Sequence, residues 1–260
     1  MAETGLYWSP DERQNGRSWD KEKDFMTAKL DLRRIGIYLA FAFGIAWAAG
    51  IAVYFLGGIT APASVALMAT VYMWAPALGN LLTRWITREG LQNIGLKANF
   101  RRGWPLWIAA WVLPALLTIL GLVIYFLILP QYYDPNLTML RKAIGGLAID
   151  PWAVVALQIV QAILLAPIIN GISTFGEEFG WRGYLLPKLL PLGSRKAVLV
   201  LGVIWGAWHW PLTVQGHNYG FGYFGAPWTG MLTMLVFTTV LGIFLAWVTL
   251  RSGSIWPAVI

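Results

Sequence analysis

The chain has no cysteine, which excludes disulfides, a thiol nucleophile and any thiolate metal site. Charge is scarce: Asp, Glu, Lys and Arg make up 12% of 260 residues, against 58% hydrophobic. With a mean hydropathy of +0.61, this composition is too apolar for a soluble globule and describes a polytopic membrane protein. Histidine occurs twice, as His209 and His217. There is no HExxH, so the helical zinc-protease pattern is absent. No Asp falls inside a long apolar stretch, which leaves a paired-aspartate site without its residues. No repeat of solenoid period and no low-complexity tract interrupts the chain.

What is present is a series of apolar stretches long enough to span a bilayer. They lie near 35–56, 62–83, 104–129, 152–175, 196–214 and 229–250, and a seventh begins at Ser254. The expected fold is therefore an all-α polytopic helical bundle of six transmembrane helices plus the start of a seventh. Residues 1–34 read as a polar N-terminal tail with a short helix around Trp19 to Leu32 and no cleavable signal segment. Residues 35–149 read as N-terminal membrane helices and 150–260 as the unit that carries the chemistry. The net charge of +7 does not point to nucleic acid. Seventeen of the nineteen Lys and Arg fall in alternate connecting segments or, as Lys196 does, at the edge of one, as membrane topology requires, and this is expected to put the N-terminus in the cytosol. Trp85, Trp104, Trp152 and Trp228 stand near segment ends, where interfacial aromatic belts form.

Against this apolar background, Gly176-Glu177-Glu178-Phe179-Gly180-Trp181-Arg182-Gly183 is exceptional. Charge beside a membrane is costly unless it is paired, solvated or used. On a helix, Glu178 and Arg182 stand at i and i+4 and can form an ion pair. Glu177 lies about 100° round the helix and is left as a spare carboxylate, a plausible general base. The alternative is a solvated charge cluster at a helix end. Gly171, Gly176, Gly180 and Gly183 admit either close helix packing or room for a substrate backbone. Ser173 is a weak nucleophile signal, since a hydroxyl in a helix more often bonds locally.

His209 sits in Val203-Ile204-Trp205-Gly206-Ala207-Trp208-His209-Trp210-Pro211-Leu212, inside the fifth apolar stretch. Trp205 lies one turn earlier on the same face, and Pro211 is expected to distort the helix. A single His in a membrane helix commonly serves as a hydrogen bonder between helices. Beside a paired-Glu segment it can also activate water, stabilise an oxyanion or hold a metal. His217, in the glycine- and aromatic-rich stretch 215–228, reads as a surface residue.

Glu177-Glu178-x-x-x-Arg182 resembles the EExxxR motif of the CPBP family of intramembrane proteases, which includes the CAAX prenyl proteases and the bacterial Abi, bacteriocin-processing type. Trp205-x-x-x-His209 resembles the family's FxxxH motif with Trp in place of Phe. Ser254-Ile255-Trp256-Pro257-Ala258 resembles the lead-in to a third motif, whose His and Asn would follow Ile260, so the sequence reads as C-terminally incomplete. The resemblance covers about residues 150–260.

That resemblance implies an intramembrane endopeptidase in which Glu177 is the general base, Glu178 and Arg182 support it, and His209 positions water, stabilises the oxyanion or binds metal. It leaves glutamate-based and metal-dependent chemistry both open. In the latter, Glu177 and His209 would be ligands of a divalent ion such as zinc, which needs a further donor. The implied substrate is a membrane-embedded or lipid-anchored peptide or protein, and the implied setting a bacterial or archaeal cell membrane. Two other classes stay open: an ion- or proton-coupled transporter, and a non-catalytic membrane binding or immunity protein. Counting from Lys196, His209 lies about 20 Å into the membrane, while Glu177 falls near the cytosolic edge. A shared site thus requires the fourth span to begin later or the fifth to protrude, with a cavity open to the cytosol between them.

Overall fold

The computed structural model describes residues 29–260 except Asn93, Gly146 and Ala148. Most of the expected polar tail and of its helix near Trp19 lies outside the described residues. Helices account for the regular structure, and no strand occurs among the described residues. The ten helices used below are α1 (Leu32–Phe55), α2 (Pro62–Thr87), α3 (Phe100–Ile128), α4 (Thr138–Ile144), α5 (Pro151–Leu164), α6 (Ala166–Leu192), α7 (Ser194–Trp208), α8 (Trp210–Thr213), α9 (Trp228–Ser252) and α10 (Trp256–Val259).

Four of them, α1, α2, α3 and α9, are long and apolar enough to cross a membrane, and the count rises to five if α5 and α6 form one bent span. The architecture is that of an all-α polytopic membrane bundle. Two expected spans take a different form. The stretch 152–175 breaks at Leu165, next to Pro167, and α5 and α6 meet at a 50° bend. The stretch 196–214 yields the 15-residue α7, about 22 Å long and short of a full crossing. It stops at Trp208 because Pro211 cannot extend it, and a separate four-residue turn begins at Trp210. The seventh stretch starts α10 at Trp256.

Two helices carry a wide π turn, at Met68–Tyr72 in α2 and Trp181–Leu185 in α6. Each turn runs up to a proline, Pro76 or Pro187. Proline lacks an N–H and crowds the carbonyl four residues back, so the local ladder opens by one residue. Such π turns are frequent at functional sites.

Glycines decide which helices touch. On α6, Gly176 and Gly180 lie against α2. A Cβ on Gly180 would stand 2.3 Å from Pro76 Cβ, and one on Gly176 would stand 2.6 Å from Met73 O. On α7, Gly202 and Gly206 lie against α9, where added Cβ atoms would meet Thr239 Cα at 2.5 Å and Thr238 Oγ1 at 2.7 Å. Both pairs are spaced as small-xxx-small faces, which let membrane helices approach backbone to backbone. Polar bonds pin both contacts. Asn80 Nδ2 donates to Phe179 O (2.8 Å), and Thr238 Oγ1 donates to Gly202 O (2.9 Å). For Gly176 and Gly180 the reading as close helix packing holds. Gly171 has room to spare, its Cβ falling 3.8 Å from Val259 Cγ1.

The packing makes a prediction. Gly180→Ala and Gly206→Ala each force overpacking and are expected to destabilise by about 1–3 kcal/mol. Thermal unfolding in detergent should show both melting below the parent, while Gly171→Ala melts no lower.

Candidate active site

The Glu177–Arg182 segment is neither a loop nor a helix end. It lies inside α6 across the start of its π turn, and Glu177, Glu178 and Arg182 are buried at 6%, 3% and 1% exposure. The fourth helical segment thus runs further along the chain than the hydropathy suggests. The expected ion pair forms: Arg182 Nη1 donates to Glu178 Oε1 at 2.7 Å, with both side chains shielded from solvent. The guanidinium also stacks on the Trp205 ring, 4.3 Å from its centroid. Its Nη2 faces Gly242 of α9, where a side chain is lacking.

Glu177, the carboxylate read as spare, is held as well. Its Oε2 accepts from Trp205 Nε1 at 2.5 Å and from Trp181 Nε1 at 3.3 Å. The bond from Trp205 joins α7 to α6 across 28 residues of sequence. With Oε2 occupied, Oε1 is the oxygen left for another partner.

His209 joins the same group through Trp205. His209 Nδ1 lies 2.8 Å from Trp205 O. A carbonyl can only accept, so Nδ1 carries the proton and Nε2 is the nitrogen left for chemistry. The His209 ring packs 5.9 Å from Trp205 and 4.8 Å, edge-on, from Trp208. Trp205 therefore connects three of the expected residues: its N–H reaches Glu177, its ring face Arg182 and its carbonyl His209. His217 is half-buried rather than a surface residue. Burial, together with the nearby His209, holds its imidazole below the usual histidine range.

The N-terminal helices close the site. Tyr72 Oη, from α2, donates to Trp208 O at 2.6 Å, and its ring packs on Trp208. Trp208 Nε1 donates to Ala42 O of α1 at 3.2 Å. Tyr38 of α1 meets Trp181 edge-on at 5.8 Å and Tyr184 at 5.1 Å. Ser173 Oγ donates to Ala69 O at 3.3 Å, a bond between helices rather than a nucleophile's arrangement. Sequence reasoning did not single out Tyr38, Tyr72, Trp181 or Trp208 as site residues. For Trp181 the spacing to Glu177, four residues along a helix, was a usable signal.

A cavity of about 310 Å³ lies further along α6, lined by Arg34, Arg84, Glu89, Gly183, Tyr184 and Lys188 among others. It opens between the start of α1, the end of α2 and α6, not between α6 and α7. Glu89 is its charge centre, pairing with Lys188 and with Arg34 (3.5 Å) and accepting from Tyr184 Oη (3.1 Å).

The donor set can be tested against a metal. Catalytic zinc takes three protein donors and keeps one position open. Among the described residues no group of three His, Cys, Asp or Glu is gathered closely enough to hold an ion. Glu177 and His209 are two donors, and one oxygen of Glu177 is committed to indole N–H groups. These residues alone do not compose a zinc site.

Residues 151–260 match the family described as Type II CAAX prenyl endopeptidase Rce1-like. CAAX prenyl protease 2 of Methanococcus maripaludis is 34% identical over 82 residues, 31% of this chain, and the match spans 30% of that relative's length. No solved structure matches. The matched region is the one that carries the buried Glu177–Arg182 segment and His209, and both similarities support a CPBP-family intramembrane protease.

Proposed function

We propose that this protein is an intramembrane endopeptidase whose general base is Glu177. The observation that carries this reading is the unequal treatment of adjacent carboxylates. Glu178 is neutralised by Arg182, whereas Glu177 is oriented by two indoles that bind one oxygen and leave the other available. A group held in one rotamer with a free Oε1 is suited to proton transfer, since geometry precedes acidity in such catalysis.

The reaction runs as follows. Glu177 Oε1 takes a proton from a water as its oxygen attacks the scissile carbonyl carbon, giving a tetrahedral oxyanion. His209 Nε2, left without a bond while Nδ1 is held by Trp205 O, is the proposed partner of that oxyanion. In its imidazolium form it donates to the oxyanion, where preorganised donors are worth most. Collapse breaks the C–N bond, and Glu177 returns its proton to the leaving amine. Arg182 positions without touching substrate: it fixes Glu178 and supports the Trp205 ring. The substrate is a peptide held at the bilayer by a lipid anchor or a membrane helix. Similarity to the archaeal CAAX prenyl protease favours a prenylated C-terminal tail as the first to try. The bundle is proposed to place its N-terminus in the cytosol, on the strength of the Lys and Arg distribution.

In proteoliposomes presented with a lipid-anchored peptide, Glu177→Gln should lose cleavage by at least about 10²-fold, with the melting temperature close to the parent's. Persisting cleavage would sink the assignment, and lost ion flux without any cleavage in the parent would favour a transporter. Trp205→Phe keeps the ring over Arg182 but removes the N–H. It should lower kcat about tenfold or more through misorientation of Glu177, read in the same assay. Arg182→Gln leaves Glu178 buried without its partner and should cost about 3–5 kcal/mol, seen as a lower unfolding midpoint and not only as lost turnover.

A further inference from the structure

The ion pair and the indole bonds do not use every polar atom in the buried cluster. Glu178 Oε2, Arg182 Nε, Arg182 Nη2 and the hydroxyl of Tyr38 are all shielded from solvent, and none has a hydrogen-bond partner among the described residues. A buried polar group without a partner is strongly disfavoured, and such groups in native proteins are joined to protein or to internal water. Here the orphans are complementary. Arg182 offers donors only, Glu178 Oε2 accepts only, and a tyrosine hydroxyl does both.

Tyr38 is in place to complete them. It is fully buried on α1, and the charges of Arg182, Glu177 and Glu178 act on it. Its ring is locked between Trp181 and Tyr184, the residues that flank Arg182 on the π turn. The hydroxyl's position is therefore set by packing that does not depend on its own hydrogen bonds.

We infer that Tyr38, on a helix outside the family-matched residues 151–260, is a positioning residue of this site, its hydroxyl joined to Glu178 Oε2 and the free edge of Arg182 through an internal water. The water accepts from the guanidinium and donates to Glu178, and the tyrosine O–H closes the ring of bonds. An internal water needs two to four polar partners, and this cluster supplies them. The hydroxyl acts on turnover by fixing the Glu178–Arg182 pair, on which Trp205 rests and through which Glu177 is aimed. The catalytic consequence rests on the protease reading above. The coupling of Tyr38 to Glu178 does not.

Tyr38→Phe isolates the hydroxyl, because the ring and its packing stay. With the full chain in proteoliposomes and the lipid-anchored peptide, kcat should fall about tenfold with KM within about twofold, as expected for a displaced catalytic group. In a Glu178→Gln background the same change should cost nothing further, since the atom it acts through is altered. The four proteins of this cycle are also to be melted in detergent. Tyr38→Phe should lower the unfolding temperature in the parent and have a smaller effect in Glu178→Gln. Unchanged kcat and melting in Tyr38→Phe would overturn the inference, as would losses that multiply in the double variant. If the parent cleaves nothing, the protease reading fails, and the melting cycle still decides whether Tyr38 is coupled to Glu178.

Discussion

A guanidinium and two carboxylates buried in an apolar bundle impose the constraint on which the rest of this structure depends. Breaking a buried ion pair costs far more than breaking an exposed one, because the surviving charge has no water to turn to. Every strong feature near α6 answers that problem. Arg182 neutralises Glu178 at 2.7 Å, the Trp205 ring covers the guanidinium, and two indole N–H groups share the charge of Glu177. The tryptophans are suited to this work, since each combines a large apolar body with one donor. They carry polarity into the bundle without carrying charge.

The arrangement survives because the helices bearing it are held at the closest possible range. Gly176 and Gly180 fix α6 on α2, while Gly202 and Gly206 fix α7 on α9. Glu177 and Trp205 are the immediate neighbours of Gly176 and Gly206. A carboxylate and its donor on different helices are thus placed by backbone contact rather than by long, mobile side chains. Membrane helices gain little from the hydrophobic effect when they associate, so shape fit and these few polar bonds have to position the site.

Local spacing was legible in the sequence to the extent that it reported one helix at a time. Glu178 and Arg182 at i and i+4 announced their ion pair, and Pro211 announced the end of α7. The extent of α6 was not legible. Glycines, charges and prolines between 176 and 195 look like a connecting segment, and the packing of Gly176 and Gly180 on α2 and the burial of Arg182 against Trp205 and Gly242 became visible only in the fold. The bend at Leu165 and the shortness of α7 escaped hydropathy for the same reason, since apolar length does not report where a helix breaks. The partners of the site were hidden in a different way. Tyr72 reaches Trp208 across 136 residues, and Trp208 reaches Ala42 across 166. An aromatic residue in an apolar helix has many ordinary reasons to be there, and nothing in its own neighbourhood marks it as part of a distant cluster. Trp205 was visible as a departure from the FxxxH pattern, but its meaning required the third dimension.

The π turn at Trp181–Leu185 has a further bearing on how this chain can change. A π turn is an α-helix that has absorbed one additional residue, so the residues after it are rotated by about 100° relative to those before. Upstream of the turn, α6 presents Glu177 to the tryptophans. The turn itself presents Tyr184 to Tyr38 and to Glu89, and downstream of it α6 presents Lys188 to Glu89. Loss of Gly183 would restore regular winding and turn those contacts away, leaving Glu177, Glu178 and Arg182 untouched. Insertions and deletions in this short stretch are thus more damaging than most replacements, and two chains with the same motif can differ in activity through length alone.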